Sequence, residues 1–239
     1  MLATLATAGA AATLAAGGYA YAAMWPTSQI FGHAIIGGPD AGEFALTYDD
    51  GPNDPYTLQV LDVLARHHVR ATFFLIGRFV RQRPEIARAI HAAGHLVGNH
   101  TMTHPVLLFQ SPKRVREELA GCNAAIEDAL GEAVQYFRPP HGARRPDVLR
   151  AAHDLGLTPV LWNAMGYDWK PTTASQVIEN LQKGIQHNRR RGMGSNLLLH
   201  DGGQAGIGQD RSHSVAATAR LLESTSDGQI RYVTVDAWA

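Results

Sequence analysis

The chain has 239 residues, 45% of them hydrophobic and 18% charged, with 21 basic side chains balancing 21 acidic ones. That length suffices for a full core without staples, and the zero formal net charge gives no footing for nucleic acid, an acidic polymer or an anionic membrane surface as partner. One cysteine, Cys122, rules out an internal disulfide and a cysteine-based metal cage.

Residues 1–24 carry no charged side chain and consist mostly of Ala, Leu, Gly and Thr, the composition of a signal peptide or an N-terminal anchor. Ala20-Tyr21-Ala22 offers a small-x-small cleavage site, but the basic start of a secretory signal is missing, since the first Lys or Arg is Arg66. An Ala-rich surface helix is the bland alternative, and the same Ala content makes a permanent span marginal. A secreted or cell-envelope protein, with membrane attachment through residues 1–24 as one form of it, is the expectation. Residues 25–43 read as a lead-in and 44–239 as one domain.

From residue 44 onward short apolar runs alternate with helical patterns, the signature of βα units around a parallel sheet. Seven strands are predicted: Phe44 to Asp49, Ala71 to Ile76, Leu96 to Asn99, Tyr136 to Arg138, Thr158 to Trp162, Asn196 to His200 and Arg231 to Val235. Helical spacing appears in Leu58-Leu61-Leu64, in Val115-Leu119-Cys122-Ile126-Leu130 and in Val177-Ile178-Leu181-Ile185. Pro84, Pro112 and Pro146 stand near helix starts, where a missing N–H is tolerated. Cys122, on an apolar stripe, reads as a packed core thiol. One barrel-like α/β domain is the simplest architecture.

Chemistry-bearing residues gather at the strand ends. The first strand stops at two adjacent carboxylates, Asp49 and Asp50, followed by Gly51-Pro52; such a pair is costly unless a cation or base offsets its repulsion. The third strand leads into Asn99-His100-Thr101-Met102-Thr103-His104, two histidines four apart that can reach one metal from a helical turn or a tight loop. His91 and His95 share that spacing around Ala92-Ala93-Gly94, at what reads as a helix end, and are expected to be structural. The fourth strand ends at Arg138-Pro139-Pro140-His141-Gly142, an arginine able to hold a carboxylate in a bidentate grip. After the fifth comes Gly166-Tyr167-Asp168-Trp169, and the sixth delivers His200-Asp201. Active sites of (β/α) barrels gather at the C-terminal strand ends, and Asp49, Asp50, His100, His104, Arg138, Asp168 and His200 all fall there.

Thr47-Tyr48-Asp49-Asp50-Gly51-Pro52, His100-x-x-x-His104, Arg138-Pro139-Pro140-x-Gly142, Asp168-Trp169 and Leu197-x-x-His200 resemble, in order, the five motifs of the NodB-homology polysaccharide deacetylases, carbohydrate esterase family 4. The resemblance covers about residues 44 to 235 and implies a distorted (β/α)7 barrel that removes N-acetyl groups from N-acetylglucosamine-containing glycan: peptidoglycan, chitin or chito-oligosaccharide. It implies Asp49 as general base positioned by Arg138, and Asp50, His100 and His104 as ligands of one divalent metal. Such a donor set suits Zn²⁺, with Co²⁺ the next candidate. It further implies His200 as general acid tethered by Asp168, Trp169 as a wall of the sugar cleft and the backbone N–H of His141 as an oxyanion donor. His141 replaces an aromatic common in the family, and Met165 replaces an acid three residues before Asp168; both bear on substrate more than on the reaction. A deacylase of a small N-acyl compound and a catalytically silent carbohydrate-binding protein are the alternatives.

Overall fold

The first apolar run becomes β1 (Glu43–Gly51), buried along its whole length. In the computed structural model, which describes residues 16–225 and 228–239, β1 lies between β2 (Thr72–Leu75) and β7 (Ser195–His200), parallel to both. A strand covered on both faces needs no polar alternation, which is why Phe44 to Tyr48 reads as a continuous apolar run. Beyond β2 come β3 (Leu96–Asn99), β4 (Tyr136–Phe137) and β5 (Thr158–Pro159); beyond β7 comes β6 (Ala164–Met165). The order is β5-β4-β3-β2-β1-β7-β6, all parallel, with β8 (Arg231–Tyr232) pairing only the start of β1. This is a distorted (β/α)7 barrel in one domain, its seam lying between β5 and β6.

Two strands differ from expectation. Thr158 to Trp162 forms a ladder only over Thr158–Pro159, while β6, unpredicted, pairs Ala164 and Met165 with Leu197 and Leu198. Two residues are too short to show a period. Arg231 to Val235 was expected in the barrel but stays off the seven-strand path, and a 3₁₀ turn begins at Val235. Residues 25–43 are more than a lead-in: Ile35 bridges Val160 beside the seam and Gly38 accepts the Gly194 N–H at 2.8 Å.

The helices outside the sheet are α1 (residues 16–24), α2 (Tyr56–Arg66), α3 (Gly77–Gln82), α4 (Pro84–Ala92), α5 (Pro112–Leu130), α6 (Pro146–Asp154), α7 (Ala174–Arg189) and α8 (Ser212–Ser224). Pro84, Pro112 and Pro146 each open a helix. On α2 the buried stripe runs through Val60, Leu61, Val63 and Leu64, whereas Leu58 faces outward. The Cys122 thiol is buried on α5, 3.4 Å from the Leu75 carbonyl, and burial pushes its pKa up to about 12. His91 pairs with Glu132 at 3.1 Å; His95, buried against Phe73, accepts the Ala71 N–H. Burial and nearby Arg70 push His95 down to about 4, consistent with a neutral packing residue. Of the leader expected over residues 1–24, residues 1–15 lie outside the described chain. Among the described residues no helix is long and apolar enough to cross a membrane.

Candidate active site

The site begins with a break in the β1 ladder. Pairing with β2 runs Asp49 to Phe74 and then Gly51 to Leu75, so Asp50 is an extra residue, and its φ of 73° is left-handed. A bulge of this kind re-aims side chains that a regular strand would send to opposite faces. Asp49 Oδ1 accepts a hydrogen bond from Arg138 Nη1 at 2.8 Å. Asp50 Oδ1 instead lies 3.0 Å from His104 Nε2 and 3.4 Å from His100 Nε2. The two neighbouring carboxylates have different nearest partners, Arg138 for Asp49 and His104 for Asp50, with His100 Nε2 3.7 Å from Asp49 Oδ2 and 3.4 Å from Asp50 Oδ1.

Backbone strain gathers at the same rim. Six described non-glycine residues have positive φ, and five of them, Asp50, Thr101, His104, His141 and Tyr167, are site residues or their immediate neighbours. Such conformations persist only where the surroundings over-determine them. The turn after β3 shows how: the Thr101 N–H donates to Asn99 Oδ1 at 2.7 Å and the His104 N–H to Thr101 Oγ1 at 3.0 Å. His100 and His104 thus converge from a tight loop.

Arg138 is fully buried, its guanidinium over the Phe74 ring. Its grip on Asp49 is single rather than bidentate, because Nη1 also donates to Thr47 Oγ1 and Nη2 to the Leu161 carbonyl and Asn196 Oδ1. Burial works against its charge and Asp49 works for it, with burial prevailing in a lowered pKa.

Asp50, His100 and His104 each offer a ligand atom within 4.8 Å of the others, and all three are buried. His100 Nδ1 donates to the Arg138 carbonyl at 2.8 Å, which leaves the Nε2 lone pair aimed at Asp50. Asp50 Oδ1 is buried without a hydrogen-bond partner of acceptable geometry. An orphaned anionic oxygen beside two imidazole nitrogens fits a divalent cation. Burial tends to raise the Asp50 pKa, but His100 and His104 hold it well below the carboxylate range. Burial tends to lower His104, and Asp50 outweighs it, leaving that pKa raised.

Across the rim, His200 Nδ1 meets Asp168 Oδ1 at 2.8 Å, and the His200 N–H donates to Asp168 Oδ2 at 2.7 Å. Burial would depress this imidazole, yet the Asp168 charge and hydrogen bond raise it to about 9. Trp169 stands edge-on to the His200 ring with centres 5.2 Å apart, Tyr167 packs on Trp169, and both rings are exposed. His141 leans on His104, ring centres 4.9 Å apart, and burial followed by the His104 charge lowers its pKa. Met165 lies in β6 rather than in the cleft loop.

Several contributors escaped sequence reasoning. At the start of α8, Ser214 Oγ donates to Asp168 Oδ2 at 2.7 Å and His213 Nε2 to the Asp168 carbonyl at 2.5 Å. Serines and histidines at a helix start are too common to signal this. Asp201, next to His200, is buried, accepts a hydrogen bond from Thr57 Oγ1 and is pushed up to about 7, first by burial. Gly202 presses on the Asp50 backbone: a Cβ there would stand 2.2 Å from the Asp50 carbonyl oxygen.

The sequence pattern of a family described as polysaccharide deacetylase matches residues 37–160. A chitooligosaccharide deacetylase of Sinorhizobium fredii is 37% identical over 196 residues, covering 80% of this chain and 88% of the relative. The crystal structure of a peptidoglycan N-acetylglucosamine deacetylase in complex with 4-naphthalen-1-yl-N-oxidanyl-benzamide superposes with a TM-score of 0.77 at 29% identity, covering 86% of this chain and 91% of that one. A family 4 pseudoenzyme from Bacillus anthracis superposes almost as well, with a TM-score of 0.76 at 26% identity over 86% of this chain and 68% of that one. Backbone likeness therefore does not separate an active member from a silent one; the side chains must.

Proposed function

The chain belongs to the polysaccharide deacetylase family, and from that premise we propose that it hydrolyses the N-acetyl group of N-acetylglucosamine in glycans of the chito-oligosaccharide or peptidoglycan kind, with the aid of one divalent metal. The observation that carries the reading is that Asp49 and Asp50, adjacent in sequence, have different nearest partners: Arg138 for one, His104 and then His100 for the other. A protein that only binds sugar needs no such separation.

Asp50, His100 and His104 would hold the metal, Zn²⁺ by donor type with Co²⁺ second. Bound there, the cation would acidify water and polarise the acetyl carbonyl. Asp49 has one oxygen committed to Arg138, so Oδ2, 3.7 Å from His100 Nε2, is the oxygen free to take the proton of the attacking water. His200, with Nδ1 held by Asp168, presents Nε2 as donor to the leaving amine. Without that proton the amine is the poorer leaving group and the tetrahedral adduct reverts. The His141 backbone N–H would stabilise the developing oxyanion. Trp169, joined by Tyr167, forms a wall on which a sugar ring can lie. We assign catalysis to residues 44–239 and read residues 1–24 as a leader or anchor that places the enzyme outside the cell or in its envelope.

Acetate and free amine should appear in equal amounts when the protein with added Zn²⁺ or Co²⁺ meets N-acetylated chito-oligosaccharide or peptidoglycan. Binding without release under either metal would leave a silent carbohydrate binder. Release confined to small N-acyl amides would displace the glycan.

A further inference from the structure

Nine large hydrophobic side chains are exposed among the described residues, and five of them, Tyr19, Tyr21, Met24, Trp25 and Ile30, fall within residues 19–30. Isolated exposed apolar residues are ordinary, whereas clusters mark contact surfaces. These residues form ring pairs: Tyr21 stacks on Trp25 with centres 6.0 Å apart, and Tyr19 packs on Phe31 at 5.2 Å. Tyr and Trp combine an apolar ring with a polar tip, the pairing favoured where lipid meets water. The first Asp, Glu, Lys or Arg of the chain is Asp40, so no such charge opposes lipid contact before it.

The segment is also fastened to the domain. Ala22 and Ala23 are buried, and the Arg144 N–H donates to the Ala23 carbonyl at 3.0 Å. The Arg144 guanidinium, itself buried, donates to the carbonyls of Trp25 at 2.9 Å, Ser28 at 2.6 Å and Gly142 at 3.0 Å. Arg144, through its backbone N–H and its guanidinium, therefore ties residues 23–28 to the loop that carries His141 and Gly142. Cleavage after Ala22 would create a charged amine at buried Ala23, an unfavourable place for it.

We propose that residues 19–30, which follow the charge-free residues 1–15 in sequence, form a bilayer-contacting surface that stays attached to the mature protein, lies in the membrane interface and holds the His141 loop near the lipid. This deepens the anchor reading of residues 1–24 and does not depend on the deacetylase reading. A lipid surface is favoured over a second copy because the patch is continuous in sequence with those charge-free residues. An interfacial seat is favoured over a span because Ala22 and Ala23, within the segment, are buried against the domain and leave one face of it for lipid.

The test is flotation of the full chain with phosphatidylcholine vesicles, with and without about one third phosphatidylglycerol, beside the variant Tyr21→Ser/Trp25→Ser/Ile30→Ser. The full chain should float equally with both vesicles and in high salt, since the patch itself carries no Asp, Glu, Lys or Arg. The triple variant should lose about tenfold or more in vesicle partition while releasing acetate from soluble chito-oligosaccharide at the same rate. Undiminished flotation of the variant would overturn the proposal by assigning attachment to residues 1–15 alone. Binding to anionic vesicles only, a dimer that the variant dissolves without vesicle binding, or a mature N-terminus beyond Ala22 by mass spectrometry would each overturn it as well. Vesicle binding without acetate release would instead support this surface and fail the deacetylase reading.

Discussion

Replacing Asp168 by Asn removes the charge that keeps His200 protonated and preserves side-chain size. Burial alone would push this imidazole below its ordinary 6.5, and with Asp168 beside it the group titrates at about 9. Losing the carboxylate, the largest contributor to that rise, should therefore lower the His200 pKa from about 9 toward the ordinary 6.5, with Asp50 and Asp49 still favouring the charged form. Near neutral pH the protonated fraction, almost complete beside Asp168, would then fall. A cation held at Asp50 would pull the imidazole down in both proteins and leave most of the difference. The assay is kcat/KM for acetate release against pH, with an NMR titration of His200 in parallel. The wild-type rate should fall as pH rises through the His200 pKa, and in Asp168→Asn that basic limb should move about two units lower. The linkage has the same sign: a raised folded pKa gives stability that is complete below about 6.5 and lost as pH rises through about 9, and the variant should lose that pH-dependent part. A basic limb unmoved by the substitution would refute His200 as the proton donor.

Three further outcomes are expected. Arg138→Met leaves Asp49 buried without its cation and should lower unfolding stability by about 3–5 kcal/mol by denaturant titration; a loss under about 1 kcal/mol would mean that the pair contributes no more than a surface contact. Gly202→Ala places a Cβ 2.2 Å from the Asp50 carbonyl oxygen and should weaken Zn²⁺ binding in a fluorescent competition assay without altering any ligand; wild-type affinity would show that the Asp50 backbone yields freely. Because His104 holds its proton more tightly beside Asp50, metal affinity should fall as pH drops through that raised pKa. Calorimetry in buffers of different ionisation heat should then detect protons released on Zn²⁺ binding, and none released would contradict the ligand set.

How much was legible varied with how a residue expresses its role. Strand ends that deliver acids, histidines or an arginine can be read from apolar runs, and the order of those ends placed Asp49, His100, Arg138 and His200 on one rim, whereas Asp168 is delivered by a strand that was not read. Strand β6 was hidden because Ala164 and Met165 show no period, and Arg231 to Val235 misled because a β-rich run does not say which strand it pairs with. The bulge at Asp50 was invisible for a related reason: it is a register difference between two strands distant in sequence. Arg138, able by its position to hold a carboxylate with both nitrogens, gives Asp49 only one, because Thr47, Leu161 and Asn196 share its donors, and that competition depends on tertiary packing. Ser214 and His213 reach Asp168 from a helix start 45 or more residues away in sequence, with no pattern to announce it.

The central claim is that two adjacent carboxylates do separate work, and the most direct measurement is a pair of zinc-binding isotherms for Asp49→Asn and Asp50→Asn, each coupled to an acetate-release assay. Asp49→Asn should bind Zn²⁺ nearly as wild type while its turnover falls by about 10²-fold to 10⁴-fold. Asp50→Asn should lose Zn²⁺ affinity by about 10²-fold or more, and turnover with it. Equal loss of zinc from both variants, or undiminished binding in both, would contradict the division between Asp49 and Asp50.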